Sequence, residues 1–167
     1  MLKWTLIVGL GLVAIVIFVA IAGALLPKGH RASRTATIAA PPAVIFGVIT
    51  DFARGAEWRR DVKEVEVLPD DGRGRMIREH GSHGVVPYRV EVFDPPARLV
   101  MRIADPSLPY GGSWTYELRP DAEGASLTIT EEGEVYNPIF RFMQKVLFSP
   151  CTTMDQYIED LKKRLSS

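Results

Sequence analysis

One carboxylate in this sequence stands where it could do chemistry. Between Leu127 and Val135 the apolar residues Leu127, Ile129 and Val135 alternate with polar neighbours. Glu131 falls in their register, while Glu132 and Glu134 fall on the opposite face. A carboxyl group turned towards an apolar interior loses its water. It must then hold its proton more tightly or find a cationic partner. By strand parity Arg78 and His80 share a face with Met76 and are the partners to expect. Such a group could act as an acid or base, or contact a bound molecule. Two plainer readings stay open: a structural ion pair, or a bulge at Gly133 that returns Glu131 to solvent.

Around it stands a set of aromatic and thioether side chains on the expected inner faces: Trp58, Tyr88, Met101, Trp114, Tyr116, Phe142 and Met143. Together with Glu131 they form the candidate ligand-binding set. Such residues line apolar pockets in which a few hydroxyls fix orientation, and they equally make ordinary core. His80 and His83 lie in a turn with Glu79 as the sole nearby carboxylate, too few ligands for a metal site, so no metal is expected. Cys151 lies on an apolar helical stripe and reads as a packed thiol. No phosphate loop, paired-cysteine motif or Ser-His-Asp order appears, and no cofactor is implied.

The elements that must position these residues follow from periodicity. Thr35 to Ala40 is strand-like, and Pro41-Pro42 opens a helix to about Thr50 whose stripe is Val44, Ile45, Val48 and Ile49. A short helix or turn runs to Trp58. A meander follows: Val62–Leu68, Met76–His80, Val85–Phe93 (with Val86, Tyr88, Val90 and Val92 on one face), Arg98–Ala104, Ser113–Leu118 and Leu127–Val135. Residues 105–112 form either an entrance loop or a plain connection. Asn137-Pro138 then caps a helical stripe reaching Leu165, broken at Pro150, with Ser149 available as a new cap. The natural assembly is an α+β domain, a curved antiparallel sheet closed around the C-terminal helix.

Charge divides the chain. It has 167 residues with 20 basic and 20 acidic side chains, yet the first 34 hold Lys3, Lys28, Arg31 and Arg34 and no acid. The remainder is therefore acidic by four, which argues against nucleic acid as a partner. One cysteine excludes an internal disulfide. Trp4 to Leu26 is free of charge and, as a helix of about 34 Å, long enough for a bilayer. Residues 1–27 thus read as a transmembrane anchor, 28–34 as a basic linker and 35–167 as the folded domain. A cleaved signal peptide, suggested by Ala22-Gly23-Ala24, and a buried helix are the competing readings. The excess of Lys28, Arg31 and Arg34 over Lys3 and the terminal amine favours a single-pass protein with its domain on the cytoplasmic side.

The phrases Thr37-Ile38-Ala39-Ala40-Pro41-Pro42-Ala43-Val44-Ile45-Phe46, Thr50-Asp51, Trp58, Gly112-Ser113-Trp114-Thr115-Tyr116, Thr130-Glu131-Glu132-Gly133-Glu134-Val135 and Asn137-Pro138-Ile139-Phe140-Arg141-Phe142 resemble the START/Bet v 1-like superfamily, also called SRPBCC or polyketide cyclase/dehydrase-like proteins. The resemblance spans roughly residues 35–165. It implies a helix-grip fold, here preceded by one transmembrane helix, and a cavity for lipids, isoprenoids or polyketides between sheet and helix. The expected function is a membrane-tethered binding domain for an apolar small molecule, with the bilayer contacted through residues 4–26. The alternatives are a cyclase or dehydratase using Glu131 or a cavity tyrosine as acid/base, and an accessory domain that binds another membrane protein.

Overall fold

The computed structural model describes residues 2–72, 74–82, 84–147 and 151–166. It opens on α1 (Leu2–Leu25), whose segment Ile7–Leu25 is long and apolar enough to cross a membrane and is almost wholly exposed. The helix ends before Pro27, which cannot continue it. The strand β1 (Gly29–Ile38) begins at once. Residues 29–34, expected to be a linker, are therefore sheet. Their backbone pairs with β7, Gly29 opposite Glu134 and Arg34 opposite Ile129, and this satisfies the polar groups that a linker would leave to water.

The chain continues through α2 (Pro42–Thr50), a 3-10 turn (Phe52–Arg54), α3 (Gly55–Trp58), β2 (Val62–Val67), β3 (Met76–Gly81), β4 (Gly84–Asp94), β5 (Arg98–Ile103), β6 (Tyr110–Asp121), β7 (Gly124–Val135), α4 (Pro138–Leu147) and α5 (Cys151–Ser166). The strands form one antiparallel sheet in the order β1-β7-β6-β5-β4-β3-β2. Ile38, Ile77, Leu99, Tyr116, Leu127 and Ile129 turn inward and meet Ile45 and Ile49 of α2 and Met154, Ile158 and Leu161 of α5. Asp160 of α5, nearly inaccessible, accepts from the Arg60 backbone N–H at 3.1 Å and from its Nε at 2.7 Å, fixing the helix to the segment after α3.

Three expectations change. In β4 the register shifts between Val90 and Val92. Val92 therefore joins Val100 on the outer face, and Phe93 takes the face of Leu99, its exposed ring meeting Phe46 edge to face. In β3 the fully buried residue is Ile77 rather than Met76, which sends Glu79 inward and Arg78 outward to Glu66 at 3.2 Å. Finally, the apolar stripe after Asn137 is broken as expected, but its first half does not lie across the sheet. It divides into α4 and α5 around Pro150, and α4 packs against α1. His83 and Ser149 lie outside the described residues.

Candidate functional site

A cavity of about 160 Å³ lies between the inner face of the sheet and α5. Tyr88, Met101, Trp114 and Tyr116 form its sheet wall and Tyr157 its helix wall, each delivered by the alternation of its strand or by the apolar stripe of α5. The Tyr116 and Tyr157 rings lie 5.4 Å apart, and Trp58 meets Tyr157 edge to face at 5.2 Å. Gly81, Ser82 and Gly84 beside the β3–β4 turn, and Thr153 in the first turn of α5, complete its lining.

One wall is charged. Arg59, just past α3, donates both terminal nitrogens to the Glu79 carboxylate, Nη2 to Oε2 at 3.0 Å, and Nη2 also reaches Asp61 Oδ2 at 3.2 Å. Burial opposes the charge on Arg59, but Glu79 outweighs it and holds the guanidinium well above its ordinary range. Its carbon centre also stands 5.3 Å over the Tyr157 ring, a cation–π contact. Its Nε has no hydrogen-bond partner among the described residues. Burial raises the Tyr88, Tyr116 and Tyr157 hydroxyls far above physiological pH, and the negative Glu79 adds to this in each.

The chemistry available is donation. Protonated tyrosines and a fixed guanidinium offer N–H and O–H groups to an acceptor oxygen. The inward carboxylate is already held at both of its oxygens. An apolar cavity of about 150 Å³ holds one benzene-sized ring, so the enclosed space suits a ring or a branched unit rather than a whole lipid.

The structure gathers Tyr88, Met101, Trp114 and Tyr116 in one wall and sets Trp58 behind Tyr157. It places Glu131, Phe142 and Met143 elsewhere. Glu131 does face inward, opposite Trp114 and Ala32, but its partner is His30 of β1 at 3.6 Å, not Arg78 or His80. The His30 ring lies directly over Gly133, where a Cβ would collide with it. Burial raises the Glu131 carboxyl, and His30 opposes that rise. Phe142 and Met143 follow α4 away from the sheet to α1.

Sequence reading missed Arg59, Glu79 and Tyr157 as site residues. Tyr157 was visible on the stripe of α5. Glu79 would have followed from choosing Ile77 over Met76 as the inward residue. Arg59 lies in an irregular segment with no period to read. Among the described residues, no group of three or more His, Cys, Asp or Glu side chains converges as metal ligands would.

Residues 29–165 match the family model described as "Polyketide cyclase / dehydrase and lipid transport". Among solved structures, a START superfamily protein from Mycobacterium smegmatis superposes with a TM-score of 0.65 at 17% identity, covering 82% of this chain and 97% of that one. The Zhui aromatase/cyclase from Streptomyces sp. R1128 gives 0.65 at 14% identity, covering 83% and 94%. Norcoclaurine synthase from Thalictrum flavum gives 0.65 at 10% identity, covering 88% and 91%. At these identities the likeness is one of fold. No curated protein sequence matches the chain.

Proposed function

The chain belongs to the polyketide cyclase/dehydrase and lipid transport family, and on that footing we propose that it is a membrane-anchored binding domain for an apolar small molecule carrying an acceptor oxygen. The observation that carries this reading is the cavity itself. Aromatic and thioether surfaces from Met101, Trp114 and Tyr116 supply contact for a ring or branched chain. The Tyr88 and Tyr157 hydroxyls and Arg59 supply donors for a carbonyl or phenolic oxygen. The cavity's position supports the same reading. Thr153, in the first turn of α5, belongs to its lining, and α5 follows α4, the helix that packs on the candidate membrane span. The domain would face the cytoplasm by the charge balance around α1.

A second reading has one observation in its favour. Solved structures with this fold include ones named as an aromatase/cyclase and as a synthase. On that reading a raised cavity tyrosine acts as the proton donor to a developing oxyanion. Glu131, paired with His30, does not line the cavity.

The test is to isolate the full-length protein in polymer-excised discs of its own membrane and identify what accompanies it by native mass spectrometry. The control is a Val86→Trp variant, whose indole fills the cavity. An apolar, oxygen-bearing molecule enriched on the wild type and depleted on the variant supports binding. Equal content in both would overturn the proposal. Conversion of that molecule by wild type but not by the double variant Tyr88→Phe/Tyr157→Phe would move the conclusion to catalysis.

A further inference from the structure

We infer that α4 is a membrane-interface helix, its outer face immersed in lipid beside α1, so that the domain is held against the bilayer by two helices rather than hung from one. This inference rests on α1 crossing the bilayer.

Four apolar side chains of α4, Ile139, Phe140, Met143 and Val146, are between 38% and 62% exposed. At 100° per residue their spacing puts all four on one face, and Arg141, Gln144 and Lys145 lie on the other. A helix with one apolar face and a polar, partly basic one is the form that lies in the plane of a membrane interface.

What covers this face is argued from its neighbour. The residues of α1 from Ile7 to Phe18 are exposed, and the half-buried or buried ones, Val19, Ala20, Ala22 and Gly23, cluster at its C-terminal end. There Gly23 is so close to the Pro138 carbonyl that a Cβ would collide with it. Arg141 donates to the Gly23 and Leu26 carbonyls at 3.2 and 2.9 Å, and to those of Val135 and Tyr136 at 3.0 Å each. Its fork therefore ties the end of α1, the end of β7 and the start of α4 into one joint. Gly23 is two residues from the end of α1, about 3 Å along the axis. With α1 across the bilayer, the joint holds α4 at the depth where hydrocarbon gives way to headgroups. Its exposed apolar face is then continuous with the lipid-facing surface of α1. Lipid is the occupant that this continuity selects, since the same bilayer covers α1.

The experiment uses the full chain in phosphatidylcholine/phosphatidylglycerol vesicles, in a Cys151→Ser background. Single cysteines at Val13, Phe140, Met143 and Lys145 carry an environment-sensitive fluorophore, and lipids bearing a doxyl quencher at shallow or deep positions report depth. The expected result is blue-shifted emission at 140 and 143, quenched several-fold more by the shallow lipid than at 145, with position 13 quenched best by the deep one. Unshifted, unquenched emission at 140 and 143, with 13 deep, overturns the inference. So does blue-shifted emission that no lipid quencher reaches, which would mean that a second copy or another protein covers the face. Failure at position 13 itself strikes the span, and with it the premise.

Discussion

Arg141 is buried, and it donates to the Gly23 carbonyl across 118 residues of sequence at 3.2 Å. Its other partners are also backbone carbonyls, so the side chain completes the C-terminus of α1 in the way a cation favours a helix end. Arg141→Met keeps the bulk and removes the donors, leaving these carbonyls without this partner. The variant should be less stable by about 2 kcal/mol, with Lys at this position recovering only part of the loss because one ammonium cannot serve the whole fork. Thermal unfolding of the three proteins in the same lipid discs is the measurement. An unchanged midpoint for the Met variant would show that the joint is not a source of stability.

The Arg59–Glu79 pair makes an asymmetric prediction. Glu79→Gln leaves a buried guanidinium without its main counter-charge and should cost about 3–5 kcal/mol, whereas replacing both residues, Arg59→Met with Glu79→Leu, should recover most of that. Urea titration of single and double variants separates the two. A double variant as unstable as the single would mean that packing around the pair, not its charge, is what matters there.

How far these residues could be read from sequence follows from what surrounds each one. The strands carrying Trp114, Tyr116, Leu127 and Ile129 announce their faces because large apolar and small polar residues alternate without interruption. Strand β3 does not, since Met76 and Ile77 are both apolar neighbours and only the packed structure decides between them; Glu79 was lost with that choice. The bulge at Val90 to Val92 leaves no mark in a run of alternating valines, so Val92 read as sharing the face of Tyr88 and Val90. After Asn137 the period persists through both α4 and α5, and a period records an apolar face without recording what lies against it. Phe142 and Met143 therefore looked like cavity residues while belonging to a helix that packs on α1.

The cavity hydroxyls should discriminate between ligands of one shape. Acetophenone and α-methylstyrene are nearly isosteric, and only the first has a carbonyl oxygen to accept a hydrogen bond. Wild type should prefer the ketone by about 1 kcal/mol, roughly fivefold, and Tyr88→Phe/Tyr157→Phe should bind the two alike. Ligand-observed NMR titration reads both affinities. A ketone preference that survives the double change would point to Arg59 as the donor.

The pH dependence of Glu131 has a definite sign. Its folded-state carboxyl is raised, first by burial and against the opposing pull of His30, so it contributes stability while protonated and loses it as pH rises through the folded value. Glu131→Gln should therefore raise the melting midpoint slightly at neutral pH. The gain should fade on acidification and vanish below the ordinary carboxylate range. Melting curves of both proteins from pH 4 to pH 8 test it. A variant that is less stable at neutral pH would show that the His30 attraction prevails over burial.

Two glycines of α1 provide a matched pair. A side chain at Gly23 meets the backbone of Pro138, whereas one at Gly11 meets nothing within 4 Å. Leu at either position leaves the helix as apolar as before and improves its intrinsic propensity, so any difference between the variants must come from the contact with α4. Gly11→Leu should be neutral. Gly23→Leu should force α4 away from α1, at about 1–3 kcal/mol in overpacking. It should also strain the Arg141 bonds that depend on the same approach. Thermal unfolding in lipid discs, paired with the fluorescence of a label at Phe140, gives both readouts. If Gly23→Leu melts with wild type and its label keeps the same lipid quenching, the two helices are not in the close contact that joins span to domain.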